Sequence, residues 1–220
     1  MSTLVIACHP QADSLNRRLL AAVRRGLEAA GVDHHVIDLY ADGFEPCLRA
    51  AEYERMFVTR APGTEADVAA AQARVAAADH LVFIYPVWWY GMPAALKGFV
   101  DRVFTAGFAY RFRKLTWFLV AGGTLVSFLP GIRYLVQPFA AKGLLKGKRA
   151  TIIRTYGGAA MGRRMFGNGP ASSLENAVLR FCGITRIRRL EIFGVNLSSF
   201  NPVREGRALE RAARLVAGRR

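Results

Sequence analysis

Three short stretches of this chain place polar or aromatic side chains directly after apolar, strand-like runs. They are residues 9–16 (HPQADSLN), 86–90 (PVWWY) and 155–158 (TYGG). A polar turn that opens a helix aims free backbone N–H groups at an anion, and aromatic side chains suit the faces of a flat apolar ring. A glycine pair lets the backbone approach such a ring without a Cβ in the way. Together the stretches indicate a site for a flat ligand that carries phosphate.

Each stretch also has a simpler interpretation when it is considered alone. Asp13 or Ser14 can serve only as the cap of the helix that follows. Gly157 and Gly158 can form an ordinary tight turn. Only their common position, each after a predicted strand, favours a ligand site over these alternatives.

The elements that must position these stretches alternate between strands and helices. Short apolar runs predict strands at residues 3–8, 34–39, 80–85 and 149–155, and within 184–195. Apolar residues at helical spacing predict helices at 15–30, 64–78, 93–104, 171–181 and 203–217, with Thr64 capping the second and Pro93 opening the third. This alternation predicts an α/β fold with a doubly wound, mostly parallel sheet. Ligands of such sheets lie at the carboxyl ends of the strands, and all three stretches fall on that edge.

The length and composition of the chain narrow its class. A chain of 220 residues suits one domain, over residues 1–220, and three cysteines without a CxxC pair suggest neither a disulfide framework nor a metal site. The net charge of +15 favours anionic ligands, anionic membranes or nucleic acid. However, the arginines are scattered over positions predicted to face water, and no basic run is interleaved with aromatics, so no nucleic-acid partner is expected. Without a signal sequence, a cytoplasmic protein is expected.

One segment interrupts the alternation of strands and helices. Residues 115–132 carry no charge and are flanked by Arg111, Arg113, Lys114 and Arg133. We interpret residues 113–147 as a hydrophobic insertion between the third and fourth strands of the sheet. Its glycines and proline, and the sheet on both sides of it, disfavour a membrane span. A cover for a dimer interface or active site, and a peripheral membrane contact through residues 115–141 at the inner face of the membrane, remain open.

The chain resembles the flavodoxin-like NAD(P)H:quinone oxidoreductase family. The resemblance rests on CHPQADSLN after the first strand, on YPVWWYGMPAALKGFVDRVF with AGFAY just after it, and on TYGG after the fourth strand. It covers about residues 1–112 and 149–195. Any one of these motifs is weak evidence, but the three occur in the family's order and spacing.

The resemblance implies a fold, a cofactor and a set of site residues. The fold is a five-stranded sheet in the order 2-1-3-4-5 that binds FAD, or alternatively FMN, usually in a homodimer whose partner helps to form the site. Phe108 and Tyr110 fall where the family places aromatics on the substrate side, and Arg207 is a candidate contact for the adenosine side. The matched cofactor-binding residues are His9, Ser14, Leu15 and Asn16 in the phosphate loop, Pro86, Val87, Trp88, Trp89 and Tyr90 along the isoalloxazine, and Thr155, Tyr156, Gly157 and Gly158 opposite.

The activity implied is hydride transfer from NADH or NADPH to flavin N5, followed by two-electron reduction of a quinone-like acceptor with ping-pong kinetics. Two alternatives stay open, an electron-carrier flavodoxin and an ancillary flavoprotein subunit of a membrane transporter. The chain lacks the Tyr and His that mammalian relatives carry shortly after the glycine pair. Arg163 or Arg164 is our candidate for an electrostatic role there, although both can simply face water.

Overall fold

Seven strands run through the part of the chain that the computed structural model describes. That part comprises residues 2–59, 64–112, 141–162, 165, 167, 169 and 171–218. The strands are β1 (Ser2–Ala7), β2 (Asp33–Asp38), β3 (His80–Val87), β4 (Tyr110–Phe112), β5 (Ala141–Gly143), β6 (Arg149–Tyr156) and β7 (Arg186–Phe193). Five of them form a parallel sheet in the order β2-β1-β3-β6-β7, which confirms the predicted order.

Helices cover both faces of this sheet, so its central strands are buried. In β3, Leu81, Val82 and Phe83 are completely inaccessible to solvent. One face packs against α3 (Ala66–Ala77) and α4 (Ala94–Val103), and the other packs against α1 (Leu15–Ala29) and α6 (Pro202–Val216). Such burial on both faces explains why the strands appear in the sequence as continuous apolar runs. The helices are α1 (Leu15–Ala29), α2 (Ala50–Tyr53) with a π-helical extension (Glu54–Val58), α3 (Ala66–Ala77), α4 (Ala94–Val103), the π-type helix α5 (Ala171–Arg180) and α6 (Pro202–Val216).

The predicted strands of the main sheet and the predicted helices that cover it are confirmed to within two residues at each end. Two details of the helix starts were wrong. Helix α3 is capped by Glu65 rather than Thr64, and Pro93 is the cap of α4 rather than its first residue. The third strand also continues through Pro86 and Val87, which the sequence placed in a loop.

An antiparallel pair, β4 with β5, was not predicted. Tyr110 pairs with Gly143 and Phe112 with Ala141. The pair joins the chain just before and just after residues 113–140, the main part of the predicted insertion, which lies outside the described residues. Within the described part of the chain, no helix is long and apolar enough to cross a membrane.

A buried arginine holds the long segment after β2 against α4. Arg102 has no exposed side-chain surface, and its Nε donates to Glu52 Oε1 at 2.9 Å. Its NH1 donates to Asp67 Oδ2 at 2.7 Å and to the carbonyl oxygen of Glu45 at 2.6 Å, and its NH2 donates to Asp67 Oδ1 at 3.2 Å. Because a buried cation needs such partners, these contacts fix residues that have no regular apolar pattern of their own.

A second buried arginine lies between β6 and α5. Arg154 donates to Glu175 Oε1 at 2.8 Å, and both side chains are fully buried. Glu175 also accepts a hydrogen bond from Arg189, and Arg154 NH2 lies 3.1 Å from Glu191 Oε1. The charges within this group balance, so α5 is attached to the sheet by a compensated ionic network rather than by apolar packing alone.

The close approach of α4 to the preceding segment can be tested with Gly98→Ala. A Cβ at Gly98 would lie 2.1 Å from the carbonyl oxygen of Pro46, so the backbones must separate. We expect a loss of at least about 2 kcal/mol in the free energy of unfolding, measured by urea denaturation. Gly206→Ala is the matched control, because that helical position has open space, and it should gain about 0.5–1 kcal/mol. Equal changes in the free energy of unfolding at Gly98 and Gly206 would contradict the close contact between Gly98 and Pro46.

The Arg154 network can be tested with Glu175→Gln. Removing one carboxylate leaves Arg154 buried beside a neutral amide, which should lower the free energy of unfolding by about 3–5 kcal/mol. The control is Glu210→Gln on α6, where an exposed pair with Arg214 at 2.7 Å is lost. That change should cost less than about 1 kcal/mol in the same denaturation experiment.

Candidate functional site

A cleft of about 620 Å³ lies at the carboxyl ends of β1, β3 and β6. Because these strands are neighbours in the sheet, the three loops predicted from the sequence meet there. The predicted residues that line the cleft are His9, Ser14, Leu15, Asn16, Pro86, Val87, Trp88, Trp89, Thr155 and Gly157. The structure therefore brings together residues from all three stretches.

The amino end of α1 forms the floor of the polar part of the cleft. Ser14 caps the helix by accepting the backbone N–H of Arg17 at 3.3 Å. Asn16 is only 5% exposed, and its Nδ2 donates to Thr155 Oγ1 at 3.0 Å. Its Oδ1 is buried and has no partner in the protein. A helix amino terminus suits a phosphate, and the unpaired oxygen of Asn16 suits a ligand hydroxyl.

His9 lies between the phosphate loop and the aromatic loop. Its ring is 6.3 Å from that of Trp88, and its Nδ1 accepts the backbone N–H of Gln11 at 3.1 Å. Partial burial, together with the charge of Arg17, lowers the pKa of His9, and the carbonyl of Gln11 opposes this shift. Because Nδ1 accepts the N–H of Gln11, we infer that the neutral ring carries its proton on Nε2. Nε2 is then a donor for a ligand oxygen.

The aromatic loop is a tight turn in an unusual conformation. Trp88 and Gly91 exchange backbone hydrogen bonds, with the N–H of Gly91 donating at 2.9 Å and that of Trp88 at 3.3 Å. Between them, Trp89 and Tyr90 have φ angles of 49° and 54°. Two central residues at positive φ define a mirror-image turn, which usually contains Asn or Gly. Keeping two bulky aromatics there costs free energy, and such strain is typical of functional sites.

The third wall is formed by the end of β6. Thr155 and Gly157 line the cleft, whereas the side chain of Tyr156 points into the protein. The Tyr156 hydroxyl donates to Glu191 Oε1 at 2.8 Å, and its ring stacks on Phe193 at 4.4 Å. Tyr156 lies between these two lining residues, but only its backbone can contribute to this wall.

The remaining predicted residues lie beside or away from the cleft. Gly158 is exposed, and its carbonyl accepts the N–H of Gly194 at 2.8 Å. The hydroxyl of Tyr90 lies against Gly162 in the segment after β6. Phe108 lines a second cleft of about 770 Å³ that shares no lining residue with the first. The Tyr110 ring packs on that of Phe181 at 4.9 Å.

Two further predictions concern groups that could take part in chemistry. Arg163 and Arg164 lie outside the described residues. Among the residues that the structure does describe, no group of three His, Cys, Asp or Glu side chains could hold a metal ion.

The far end of the cleft contains residues that sequence reasoning missed. Arg18, Asn196, Phe200 and Glu205 line it, whereas Arg207 is exposed and does not. A signal for Asn196 and Phe200 existed, because the loop after β7 must reach the same edge of the sheet as the other loops. That loop carries no glycine-rich or aromatic motif, so nothing in its composition drew attention to it.

Comparison with known proteins agrees with this geometry. A family model described as flavodoxin-like fold matches residues 1–216. A ribosyldihydronicotinamide dehydrogenase-like protein of Penicillium crustosum is 33% identical over 175 residues, which are 72% of this chain and 58% of that protein. The ribosyldihydronicotinamide dehydrogenase [quinone] of Mus musculus is 29% identical over 223 residues, covering 89% of this chain and 83% of that protein.

A solved structure shows the same relationship. The NAD(P)H:quinone oxidoreductase from Methanothermobacter marburgensis superimposes with a TM-score of 0.76 at 25% identity, over 99% of this chain and 95% of that one. The chain spans 58%, 46% and 66% of the length of the first three curated relatives. On its sequence match, its fold and its three converging loops, the chain belongs to the flavodoxin-like NAD(P)H:quinone oxidoreductase family.

Proposed function

We propose that this protein is a flavin-dependent oxidoreductase that uses NADH or NADPH to reduce a quinone or a similar two-electron acceptor. A flavin held in this cleft would supply the redox chemistry, the passage of two electrons from NADH or NADPH to the acceptor. The names of the relatives support this activity, because several are NAD(P)H or ribosyldihydronicotinamide dehydrogenases of quinones.

The observation that carries the proposal is the combination of groups in one cleft. An unpaired, buried amide oxygen on Asn16 and a capped helix amino end adjoin an aromatic loop. An unpaired buried polar atom is costly, so its presence supports a polar ligand that completes its hydrogen bonds. The aromatic loop suits a flat ring next to that polar group.

The residues of the chain bind and orient the reactants in this proposal. The first N–H groups of α1 and the Nε2 proton of His9 would hold phosphate, and the unpartnered Oδ1 of Asn16 would accept from a hydroxyl of the cofactor. Val87, Trp88 and Gly157, which line the cleft at the ends of the adjacent strands β3 and β6, would flank the ring. No side chain of the cleft needs to act as a nucleophile, because the cofactor carries the electrons.

We also propose a homodimer, in which each partner completes the acceptor pocket of the other. Support comes from Phe108, which matches an aromatic of the family's pocket but lines a different cleft of its own chain. The Trp89 ring is fully exposed within a single chain, although the turn that carries it is strained. An aromatic held at such a cost and left uncovered suits a pocket that a second copy closes.

The activity is tested by assaying the purified full chain with NADH and NADPH, with and without quinones, after the released chromophore has been identified by chromatography. We expect a yellow protein whose reciprocal rate plots are parallel at varied acceptor concentrations, because both substrates use one pocket in turn. Intersecting lines would contradict the shared pocket. Slow NAD(P)H oxidation combined with fast electron exchange to a protein would favour the electron-carrier alternative instead.

The strained turn provides a test that separates function from stability. Trp89→Gly places the residue most tolerant of positive φ at this position, so the free energy of unfolding should stay equal or rise by up to about 1 kcal/mol. The same change removes an aromatic wall, and it should raise the KM for quinone at least about tenfold, since burying an aromatic contributes about 1.5–3 kcal/mol. Thermal denaturation and steady-state kinetics measure the two effects. Lower stability with an unchanged KM would show that Trp89 is structural.

A further inference from the structure

The helices on the two faces of the sheet carry very different charge. Helices α1 and α6, which pack on one face, contain eight arginines and three glutamates, a net charge of +5. On the other side, α3 and α4, together with α2 and its π-helical extension, contain four cations and four carboxylates, a net charge of zero. The fold therefore collects on one side of the molecule arginines that are far apart in the sequence.

Four of these arginines are exposed and have no carboxylate to neutralise them. They are Arg24 and Arg25 on α1 and Arg207 and Arg211 on α6, and we call them the arginine patch. None of the four forms an ion pair with any residue that the structure describes. The remaining arginines of the two helices have partners, and they are Arg17, Arg18, Arg204 and Arg214. The charge of the patch is thus available to a partner of opposite sign.

Two contacts fix how α1 and α6 lie against each other. Arg18 NH2 donates to Glu205 Oε2 at 3.2 Å near the starts of the helices. Further along, a Cβ at Gly26 would lie 2.5 Å from the carbonyl oxygen of Ala213, so the two backbones touch there. Both contacts join residues that are 187 positions apart, so the helices run parallel with one constant offset.

This offset places the arginines of the patch beside one another. Arg24 is level with Arg211, on two helices whose axes lie about 8–10 Å apart, and Arg25 is the next residue on α1. Arg207 precedes Arg211 by about one helical turn, or about 6 Å. The backbone positions of all four therefore fall within a patch about 15 Å across. Like charges four positions apart destabilise a helix, so helix stability does not explain Arg207 and Arg211.

The surface around the patch is polar and broad. The structure describes both helices completely, and the only large apolar side chain that they expose is Val203, in the first turn of α6. Neither helix contains an aromatic residue on which a base could stack. Because the helices lie side by side, neither projects alone, as a helix that enters the major groove of DNA must. A partner bound here is held by charge across a wide face.

We propose that the arginine patch docks this protein onto membrane surfaces that carry anionic lipids. A layer of headgroups presents many phosphates in one plane, which complements a broad face of unpaired guanidinium groups. Each arginine close to such a surface strengthens binding roughly fivefold. None of the four arginines lines the cleft, so a docked molecule keeps its cofactor site uncovered. Docking of this kind is independent of the proposed flavin chemistry.

Co-sedimentation of the full chain with lipid vesicles tests the docking. We expect binding to vesicles of phosphatidylcholine with about 30% phosphatidylglycerol, and none to vesicles of phosphatidylcholine alone. Binding at about 0.1 M salt should be lost at about 1 M, because the screening length falls from about 10 Å to about 3 Å. No binding to anionic vesicles at the lower salt concentration would overturn the proposal.

Two variants of equal net charge separate the patch from the overall charge. The patch variant carries Arg24→Gln, Arg25→Gln and Arg211→Gln, and it should bind anionic vesicles about 100-fold more weakly. The matched control loses the same charge at exposed positions outside α1 and α6, through Arg49→Gln, Arg74→Gln and Lys97→Gln. It should bind less than about fivefold more weakly than the parent protein. Because all six positions are exposed, both variants should keep the thermal stability of the parent protein.

Other results would assign the binding differently. Equal weakening in the patch variant and the control would show that net charge, rather than the patch, holds the protein on the membrane. Vesicle binding that persists at about 1 M salt would assign the contact to apolar side chains, which the patch lacks. Tighter binding to a mixed-sequence DNA duplex than to anionic vesicles would make the patch a nucleic-acid surface. Each of these three results would overturn the proposal.

Discussion

Parallel pairing of β1, β3 and β6 is the constraint on which the cleft depends. Ala7 pairs with Ile84, and Ile84 pairs with Ile153, so the three strands lie side by side at this edge of the sheet, and β3 and β6 then continue together to Val87 and Tyr156. The N–H of Cys8 donates to the Ile84 carbonyl at 2.9 Å and extends this pairing to the first residue of the loop. Since neighbouring strands are about 4.8 Å apart, the bases of the loops are fixed before their own sequences matter.

Charge serves two different purposes in this basic chain. Arg102 and Arg154 are fully buried, and each is compensated by carboxylates, so they attach loops and helices to the core. Arg18, in contrast, is 43% exposed and shares two carboxylates at the rim of a cleft. A buried pair cannot exchange its partner without a large desolvation cost, but a partly exposed one can. Arg18 can therefore exchange its carboxylate partners at little cost, whereas the two buried arginines cannot.

The main sheet could be predicted because its signals are local. Continuous apolar runs such as residues 81–84 and the stripe on α4 identify element types directly from spacing. The three-residue strands β4 and β5 contain too few positions to show a period, and so they were missed. The third strand was predicted to end before Pro86, because residues 86–93 were interpreted as a stiff aromatic loop, yet Pro86 pairs with Thr155 near the end of β3.

The site was predictable only where motifs mark it. The loop residues on β1, β3 and β6 are recognisable from their composition, whereas Arg18 and Glu205 are 187 positions apart and resemble any surface pair. Likewise, the inward direction of Tyr156 depends on Glu191 and Phe193 in the next strand, which the sequence of β6 does not reveal. Contacts between distant segments are set by the assembled sheet, so they appear only in the structure.

Gly157 joins the end of β6 to the loop after β7, which form two neighbouring walls of the cleft. A Cβ at Gly157 would lie 2.8 Å from Nδ2 of Asn196, so the glycine allows the loop after β7 to pack directly behind the third wall. The N–H of Asn196 also donates to the carbonyl of Gly157 at 3.3 Å, and that of Val195 to the carbonyl of Tyr156 at 3.0 Å. These bonds attach the loop after β7 to the end of β6. The two walls of the cleft are therefore joined by the backbone itself, and walls that are ordered in advance lower the cost of ordering on binding.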